Sequence, residues 1–361
     1  MKYLDEYRSP AILQGQLRAI RELDTSAVLM EVCGTHTMVI SRSGLRPLLT
    51  PEVDLVSGPG CPVCVTSERD MGRALALASI EDVILATFGD MVRVPGPQGT
   101  LLEASSRGAA VKVVYSPLDA VALARENPDR RVVFLGVGFE TTAPTVAAAV
   151  LRAREEGLGN FFVLSLHKLI PPALKALVHM EDFSIDGFLL PGHVSVVLGT
   201  EAYRFLPREH GIPCVISGFE PADILRAVYL LLRMKAEGKP EVANEYSRAV
   251  RPEGNRRARE TMCRVFREAD AEWRGLGLIP GSGLALREEF ADLDAGSWEV
   301  EVPEVRERSG CRCGDVLCGR IRPTECPLFA RSCTPDSPFG PCMVSSEGTC
   351  ASYYLYEEEG R

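Results

Sequence analysis

The sequence predicts an α/β protein, with two parallel-sheet α/β units followed by a helical, cysteine-rich C-terminal domain. Three observations carry this expectation. Short apolar runs alternate with helix-like segments as far as Pro221, two long helical patterns follow, and seven of the twelve cysteines fall between Cys311 and Cys350.

Each element follows from local pattern. The runs "AVLMEV" (27–32), "VDLVSG" (53–58), "VILATF" (83–88) and "VKVVYS" (111–116) are strand-length and rich in β-branched residues. Helical stretches such as "ERDMGRALALAS" separate them, which is the βαβ signature of a parallel sheet. Residues 26–129 are therefore expected to form a first α/β domain behind an N-terminal helical segment, residues 1–25. A second series gives a second α/β domain over 130–220: "RVVFLGVG" (131–138), "NFFVLSLH" (160–167), "GFLLPGH" (187–193) and "PCVISGF" (213–219), interleaved with helical "TVAAAVLRAREEG" and "PPALKALVHM". Beyond Pro221, "ADILRAVYLLLRMKAEG" and "NRRARETMCRVFREADAEWRG" read as long helices ending at glycines suited to C-caps. From about Leu276 the chain is rich in Gly, Pro and Cys with little periodicity. Residues 221–361 are thus expected to form a third domain held by a cofactor more than by a large core.

Composition bounds the function. A chain of 361 residues with 46% hydrophobic and 25% charged residues has the make-up of a soluble globular protein of two or three domains. A net charge of -9 with no long basic stretch argues against nucleic acid as a partner. The start "MKYLDEYRSPAILQGQ" carries acids and no apolar signal core, and no apolar run approaches the roughly 18 residues of a spanning helix. No membrane association and a cytoplasmic location are expected. In a reducing cytoplasm, twelve cysteines point to metal or redox chemistry before disulfides.

The early cysteines sit where that chemistry would be placed. Cys33 directly follows the run 27–32 in "MEVCGTHTM", and Cys61 and Cys64 follow the run 53–58 in "SGPGCPVCVTS". Loops at the carboxyl edge of a parallel sheet converge on the ligand crevice, so two thiol-bearing loops are expected to meet there. A helix beginning near Thr66 is expected to turn its N-terminal dipole on Cys64 and lower its pKa. His36, three residues after Cys33, is a candidate ligand, base or hydrogen-bond partner. A lone cysteine at a strand end is most often a small buried hydrophobe, which is the competing reading of Cys33 taken by itself; Cys214 and Cys263 have no partner pattern and are read as structural.

In the tail, "CRCGDVLCGRIRPTECPLFARSCTPDSPFGPCMVSSEGTC" packs thiols between turn-forming residues, as an iron–sulfur cluster or structural zinc requires. The wide gaps between Cys326, Cys333, Cys342 and Cys350 favour a [4Fe–4S] cluster over paired zinc knuckles. The third domain is accordingly expected to be an iron–sulfur domain.

The strings "MEVCGTHT", "SGPGCPVCV", "GFETTAPT", "LHKLIPPA", "PGHVSVVLG", "VISGFEPADIL" and "CPLF…CTP…GPCMVSSEGTC" closely resemble the HypD family of hydrogenase maturation factors, in family order from about residue 27 onward. The resemblance implies a protein that, with the small chaperone HypC, holds an iron ion while cyanide and carbon monoxide are attached to it. The product is the Fe(CN)2CO unit of [NiFe]-hydrogenases, with HypE, carrying a thiocyanate made with HypF, as cyanide donor. By position it implies that Cys33 holds the iron with His36 beside it, and that Cys61 and Cys64 form a redox-active pair. A soft thiolate suits iron bearing such ligands. Where family members commonly read "CGGHTH", this chain has "CGTHTM", with Met38 in place of the second histidine. The tail is similar to the cluster site of ferredoxin:thioredoxin reductase. That likeness implies Cys311, Cys326, Cys333 and Cys350 as cluster ligands and Cys313 with Cys342 as an adjacent dithiol. Cys326, Cys333, Cys342 and Cys350 are the next choice of ligands, and Cys318 is dispensable in both schemes.

Two other classes compete. A stand-alone iron–sulfur disulfide reductase would use the CxxC and the cluster but leave "MEVCGTH" without a task. A nucleotide-driven enzyme is suggested by "FLGVGFETTAPT", where a helix start at Pro144 would receive an anion, although no Walker lysine follows.

Overall fold

Apolar runs of five or six residues, bounded by turns, become strands buried on both faces. Arg131–Gly136 and Gly187–Pro191 carry scarcely a half-buried position between them, as parallel strands under two helical layers require. The computed structural model describes residues 9–302 and 310–357. From the N-terminus the elements are α1 (Pro10–Glu22), β1 (Ala27–Glu31), α2 (Gly34–Arg42), α3 (Leu45–Leu49), β2 (Val53–Ser57), α4 (Pro62–Val65), α5 (Glu68–Ala78) and β3 (Val83–Thr87). There follow α6 (Leu101–Ser106), β4 (Ala110–Val113), α7 (Pro117–Glu126), β5 (Arg131–Gly136), α8 (Ala143–Glu155), β6 (Phe161–Ser165), α9 (Ile170–Val178), β7 (Gly187–Pro191), α10 (Gly192–Leu198) and α11 (Phe205–His210). The remainder comprises β8 (Cys214–Ser217), α12 (Pro221–Glu237), β9 (Val242–Asn244), α13 (Arg256–Val265), β10 (Phe266–Trp273), β11 (Gly277–Leu286), α14 (Cys313–Leu317) and α15 (Thr349–Tyr356).

Two parallel sheets result, in the orders β2-β1-β7-β8-β9 and β4-β3-β5-β6, with a separate antiparallel hairpin of β10 and β11. The α/β class holds, but the two units are not consecutive in sequence. The chain lays down β1 and β2, builds the whole second sheet, and returns so that β7 pairs with β1 through Leu29↔Gly187 to Glu31↔Leu189. The Asp186 carboxylate secures this return by accepting the Val28 N–H at 2.8 Å. The expected division at 129/130 therefore falls inside the second sheet, between α7 and β5. Alternating βαβ pattern reveals that strands are parallel; it does not reveal which strands neighbour each other, because tertiary packing decides that.

Residues 221–361 also divide differently from expectation. Helix α12, opened by Pro221 and closed by Gly238 at φ +63°, packs with α1 on the first sheet and belongs to its core. The helical pattern expected over 255–275 stops at Val265, and Phe266–Trp273 pairs with β11 instead. Glu, Ala and Arg in "FREADAEW" favour helix, yet burying Phe266 and Trp273 at the strand's ends and bonding Trp273 Nε1 to Ser282 Oγ at 2.8 Å outweigh that preference.

The C-terminal helix α15 is clamped back onto the first sheet by Arg46. Its guanidinium bonds Glu31 at 2.8 Å and Glu357 at 3.0 Å and lies 4.9 Å from the Tyr353 ring centroid. The tail is thereby fixed beside the strands that carry the early cysteines. Among the described residues no helix is long and apolar enough to cross a membrane.

Candidate functional site

The carboxyl ends of β1, β2 and β7 from one sheet and of β3 and β5 from the other border a single cleft of about 460 Å³. Its lining includes Cys33, Gly60, Asp90, Thr142, His193 and Glu347, and none of its lining residues is Lys or Arg. Helix α8 begins beside it at Ala143, with Pro144 in its first turn and Thr142 as an N-cap whose hydroxyl donates back to the Phe139 carbonyl at 3.2 Å and caps no helix N–H.

Cys33 follows β1 and caps α2 in extended conformation, with its carbonyl accepting the Thr37 N–H at 3.1 Å. The loop is pressed against the loop after β2: the Gly34 N–H donates to the Gly60 carbonyl at 3.0 Å. A Cβ on Gly60 would lie 2.0 Å from the Cys33 nitrogen, so only glycine permits this approach. The Cys33 thiol is pushed up to about 11 by burial, with the Glu347 carboxylate adding to the rise and the His36 N–H opposing it. It is therefore a protonated thiol near neutral pH and must surrender that proton to bind a metal.

His36 does not line the cleft. Its Nε2–H donates to the Gly218 carbonyl at 2.9 Å, its ring sits 5.0 Å from Phe219, and burial lowers its pKa to about 4. Of its three expected roles, the structure shows the hydrogen-bond partner. On the cleft side His193 stacks on the same Phe219 at 4.0 Å, with its pKa lowered by burial and partly restored by Glu347. Glu347 in turn accepts a 2.7 Å bond from Thr35 Oγ1. Cys33, His193 and Glu347 thus face one space, and Met38 sits half-buried on α2.

Behind the cleft lies a run of thiols. Cys61 caps the short α4, and its Sγ accepts the Cys64 N–H at 3.3 Å. Cys64 is fully buried, and its pKa is raised well above 9.0 by burial and by hydrogen bonds with Cys342 and Cys61. The expected lowering by a helix dipole does not occur. Helix α5 starts only at Glu68, its first turn is capped by the Ser67 hydroxyl, and desolvation governs Cys64. The Cys342 thiol neighbours those of Cys313, Cys350 and Cys64, and the Cys313 thiol neighbours that of Cys311, closely enough for each to influence the other's ionisation.

Cys311, Cys313, Cys326, Cys333, Cys342 and Cys350 line one small pocket, walled otherwise by apolar residues. Sulfur acceptors and close glycines shape it: the Phe339 N–H donates to Cys333 Sγ at 3.3 Å, and a Cβ on Gly340 would stand 2.6 Å from Cys311 Sγ. Among the described residues no three metal-ligating side chains stand as a single bound ion requires; the six thiols surround a space instead. Cys318 turns away to the Gly275 carbonyl at 3.8 Å, Cys214 is buried in β8, and Cys263 is exposed on α13.

The family profile "HypD: Hydrogenase formation hypA family" matches residues 11–357. The chain is 43% identical to the hydrogenase maturation factor HypD of Escherichia coli (strain K12), over 99% of both chains. It is 45% identical to the hydrogenase maturation factor HypD2 of Bradyrhizobium diazoefficiens over 99% of this chain and 97% of the relative, and 44% identical to HypD of Azotobacter vinelandii over the same shares. The chain belongs to the HypD family.

Within this HypD-family fold, two cleft residues escape a reading of the sequence by chemistry. His193 comes two residues after β7 and obeys the strand-end rule that picks out Cys33. Glu347 carries no such signal. It reaches the cleft only because α15 and the turn before it fold back onto the first sheet.

Proposed function

We propose that this chain, in complex with HypC, is the scaffold on which the Fe(CN)2CO unit of [NiFe]-hydrogenases is assembled, with HypE and HypF supplying cyanide as a protein-bound thiocyanate. The observation that carries this reading is the continuity of thiols from cleft to tail. Cys33 stands in the cleft, its loop touches the Cys61 loop, and the free thiol of Cys64 neighbours that of Cys342, which neighbours that of Cys313.

Cys33 is the protein's ligand to the incoming iron, and a thiolate from HypC is the second anchor. Two soft donors leave other positions open for cyanide and carbon monoxide. Binding releases the Cys33 proton, and Glu347 and the uncharged His193 face the thiol to receive it.

Reductive release of cyanide from R–S–CN needs two electrons and two protons and yields R–SH and HCN. The Cys61/Cys64 dithiol supplies both as it closes to a disulfide. Thiol–disulfide exchange then moves the oxidation inward: Cys342 attacks Cys64, Cys313 attacks the mixed disulfide, and the Cys61/Cys64 dithiol is restored as Cys313–Cys342 closes. The contacts among Cys64, Cys342 and Cys313 support this order.

The six-thiol cavity fits a [4Fe–4S] cluster, because Cys311, Cys326, Cys333 and Cys350 remain as donors once the dithiol is set aside. When bound, the cluster supplies one-electron reduction from an external donor.

The test compares Cys33→Ala with Cys61→Ala in anaerobic complexes with HypC, measuring iron outside the cluster and infrared stretches of cyanide and carbon monoxide. Cys33→Ala is expected to lose that iron, and Cys61→Ala to keep it undecorated. A fully decorated iron in Cys33→Ala would place the metal elsewhere. Reduction of generic disulfides without HypC would favour a stand-alone reductase.

A further inference from the structure

Arg274, in the turn between β10 and β11, joins the two redox segments of the molecule. Its backbone N–H donates to the Val65 carbonyl at 2.9 Å, its Nε to the Thr66 carbonyl at 3.0 Å, and its Nη1 to the Glu68 carboxylate at 2.9 Å. These bonds fasten it to the chain just beyond Cys64. On the other side, Gly275 meets Gly314 so closely that a Cβ on Gly275 would lie 2.3 Å from the Gly314 Cα. The same turn is therefore wedged against the Cys311–Cys313 loop. The guanidinium is only 12% exposed, and its Nη2 is buried without a partner. Its positive charge reaches both Cys311 and Cys313.

We propose that Arg274 is a positioning residue that sets the reduction potential of the cysteine-lined cavity, by holding a fixed positive charge against the CPVC segment and beside Cys311 and Cys313. This inference rests on the reading that the cavity holds a cluster. One-electron reduction adds a negative charge to the thiolate-bound centre. A buried cation stabilises the reduced state more than the oxidised one, since neighbouring charge and hydrogen bonds set such potentials. Glu68 offsets part of that charge. The arrangement also ties the potential to the position of the CPVC segment, because Arg274 is anchored there.

The experiment is an anaerobic redox titration of the intact protein, followed by its visible and electron paramagnetic resonance signals, with iron content measured in parallel. Arg274→Gln is expected to make the centre about tenfold harder to reduce at a fixed poise, a shift of about 59 mV to lower potential for one electron. Arg274→Lys keeps the charge and most of the potential. Glu68→Gln frees the charge from its partner and shifts the potential upward. A merely structural ion pair predicts that Arg274→Gln and Glu68→Gln move the potential the same way, and that result would overturn the proposal, as would no shift in Arg274→Gln. Should Arg274→Gln fail to hold iron, Glu68→Gln and Arg274→Lys decide: a Glu68→Gln potential at or below wild type refutes the role. A wild-type protein without any cluster signal overturns this inference together with the reading beneath it, whereas a normal cluster with unmoved potentials overturns the inference alone.

Discussion

The cleft and the cysteine cavity are built by opposite means. The cleft is a product of backbone: five strand ends from two hydrogen-bonded sheets set its walls, and a single thiol enters it. The cavity is a product of side chains. Between Cys311 and Cys350 the longest regular element that lies wholly inside is the five-residue α14, and six thiols line the space. A site framed by sheets keeps its shape when its ligand leaves. A site framed by turns needs something bound to hold it.

The largest effect should therefore come from removing a cavity thiol. Replacing Cys326 or Cys333 by Ala is expected to abolish the cluster, about four irons per chain in the anaerobic protein. The segment from Cys311 to Cys350 should then become open to proteases, because metal binding is folding energy there. The two sheets should stay resistant, so limited proteolysis with iron analysis reads both halves of the contrast at once. Stoichiometric zinc and no iron in protein made under anaerobic, iron-replete conditions would sink the idea.

On the cleft side the corresponding break is in backbone. Gly60→Ala puts a Cβ 2.0 Å from the Cys33 nitrogen and 2.1 Å from the Val32 carbonyl carbon, contacts that no rotamer change relieves. The two loops must part, at a cost on the order of 4 kcal/mol. The expected result is a fall of several degrees in Tm and loss of iron outside the cluster, while the cluster's own spectrum persists. A variant with wild-type Tm and full iron retention would show that the loops are not locked together.

The same contrast explains what could be read from sequence. Strands such as "RVVFLG" and "GFLLP" are legible because continuous apolar runs have few other fates. The run "VKVVYS" stops early, at Val113, because β4 is an edge strand and Tyr115 is 93% exposed. Pairing of β7 with β1 was not legible, nor was the hairpin at 266–286, since both depend on distant partners. At the site, Cys33 and Cys61 follow from a local rule about strand ends, and the tail thiols from composition. What composition cannot supply is the meeting of Cys64 with Cys342, which requires the tail to be clamped by Arg46. The depressed Cys64 pKa failed as an expectation for a related reason: helix ends are visible in sequence, but the desolvation that overrides them is not.

The smallest predicted effect separates the two regions by pH. Glu140 belongs to the loop after β5 that lines the cleft but is buried, with its Oε1 accepting the Ile170 N–H at 3.0 Å and its Oε2 buried without a partner. Burial raises its pKa from 4.5 to about 7, against the lowering effect of its backbone hydrogen bonds. Because the folded value lies above the unfolded one, the folded state holds the extra proton between them. The resulting stabilisation is complete below about pH 4.5 and is lost as pH rises through about 7. A shift of that size corresponds to about 3 kcal/mol. Glu140→Gln keeps an acceptor for Ile170 and removes the titration, so its stability should not share this decline. Urea unfolding at pH 5, 6, 7 and 8, followed through the sheets by circular dichroism, should show the variant gaining on wild type as pH rises. The cluster spectrum, on the other side of the molecule's division of labour, should change equally in both proteins. Parallel stability profiles for the two proteins would mean that Glu140 is ionised throughout, and that the cleft loop rests on a paired carboxylate instead of a buried acid.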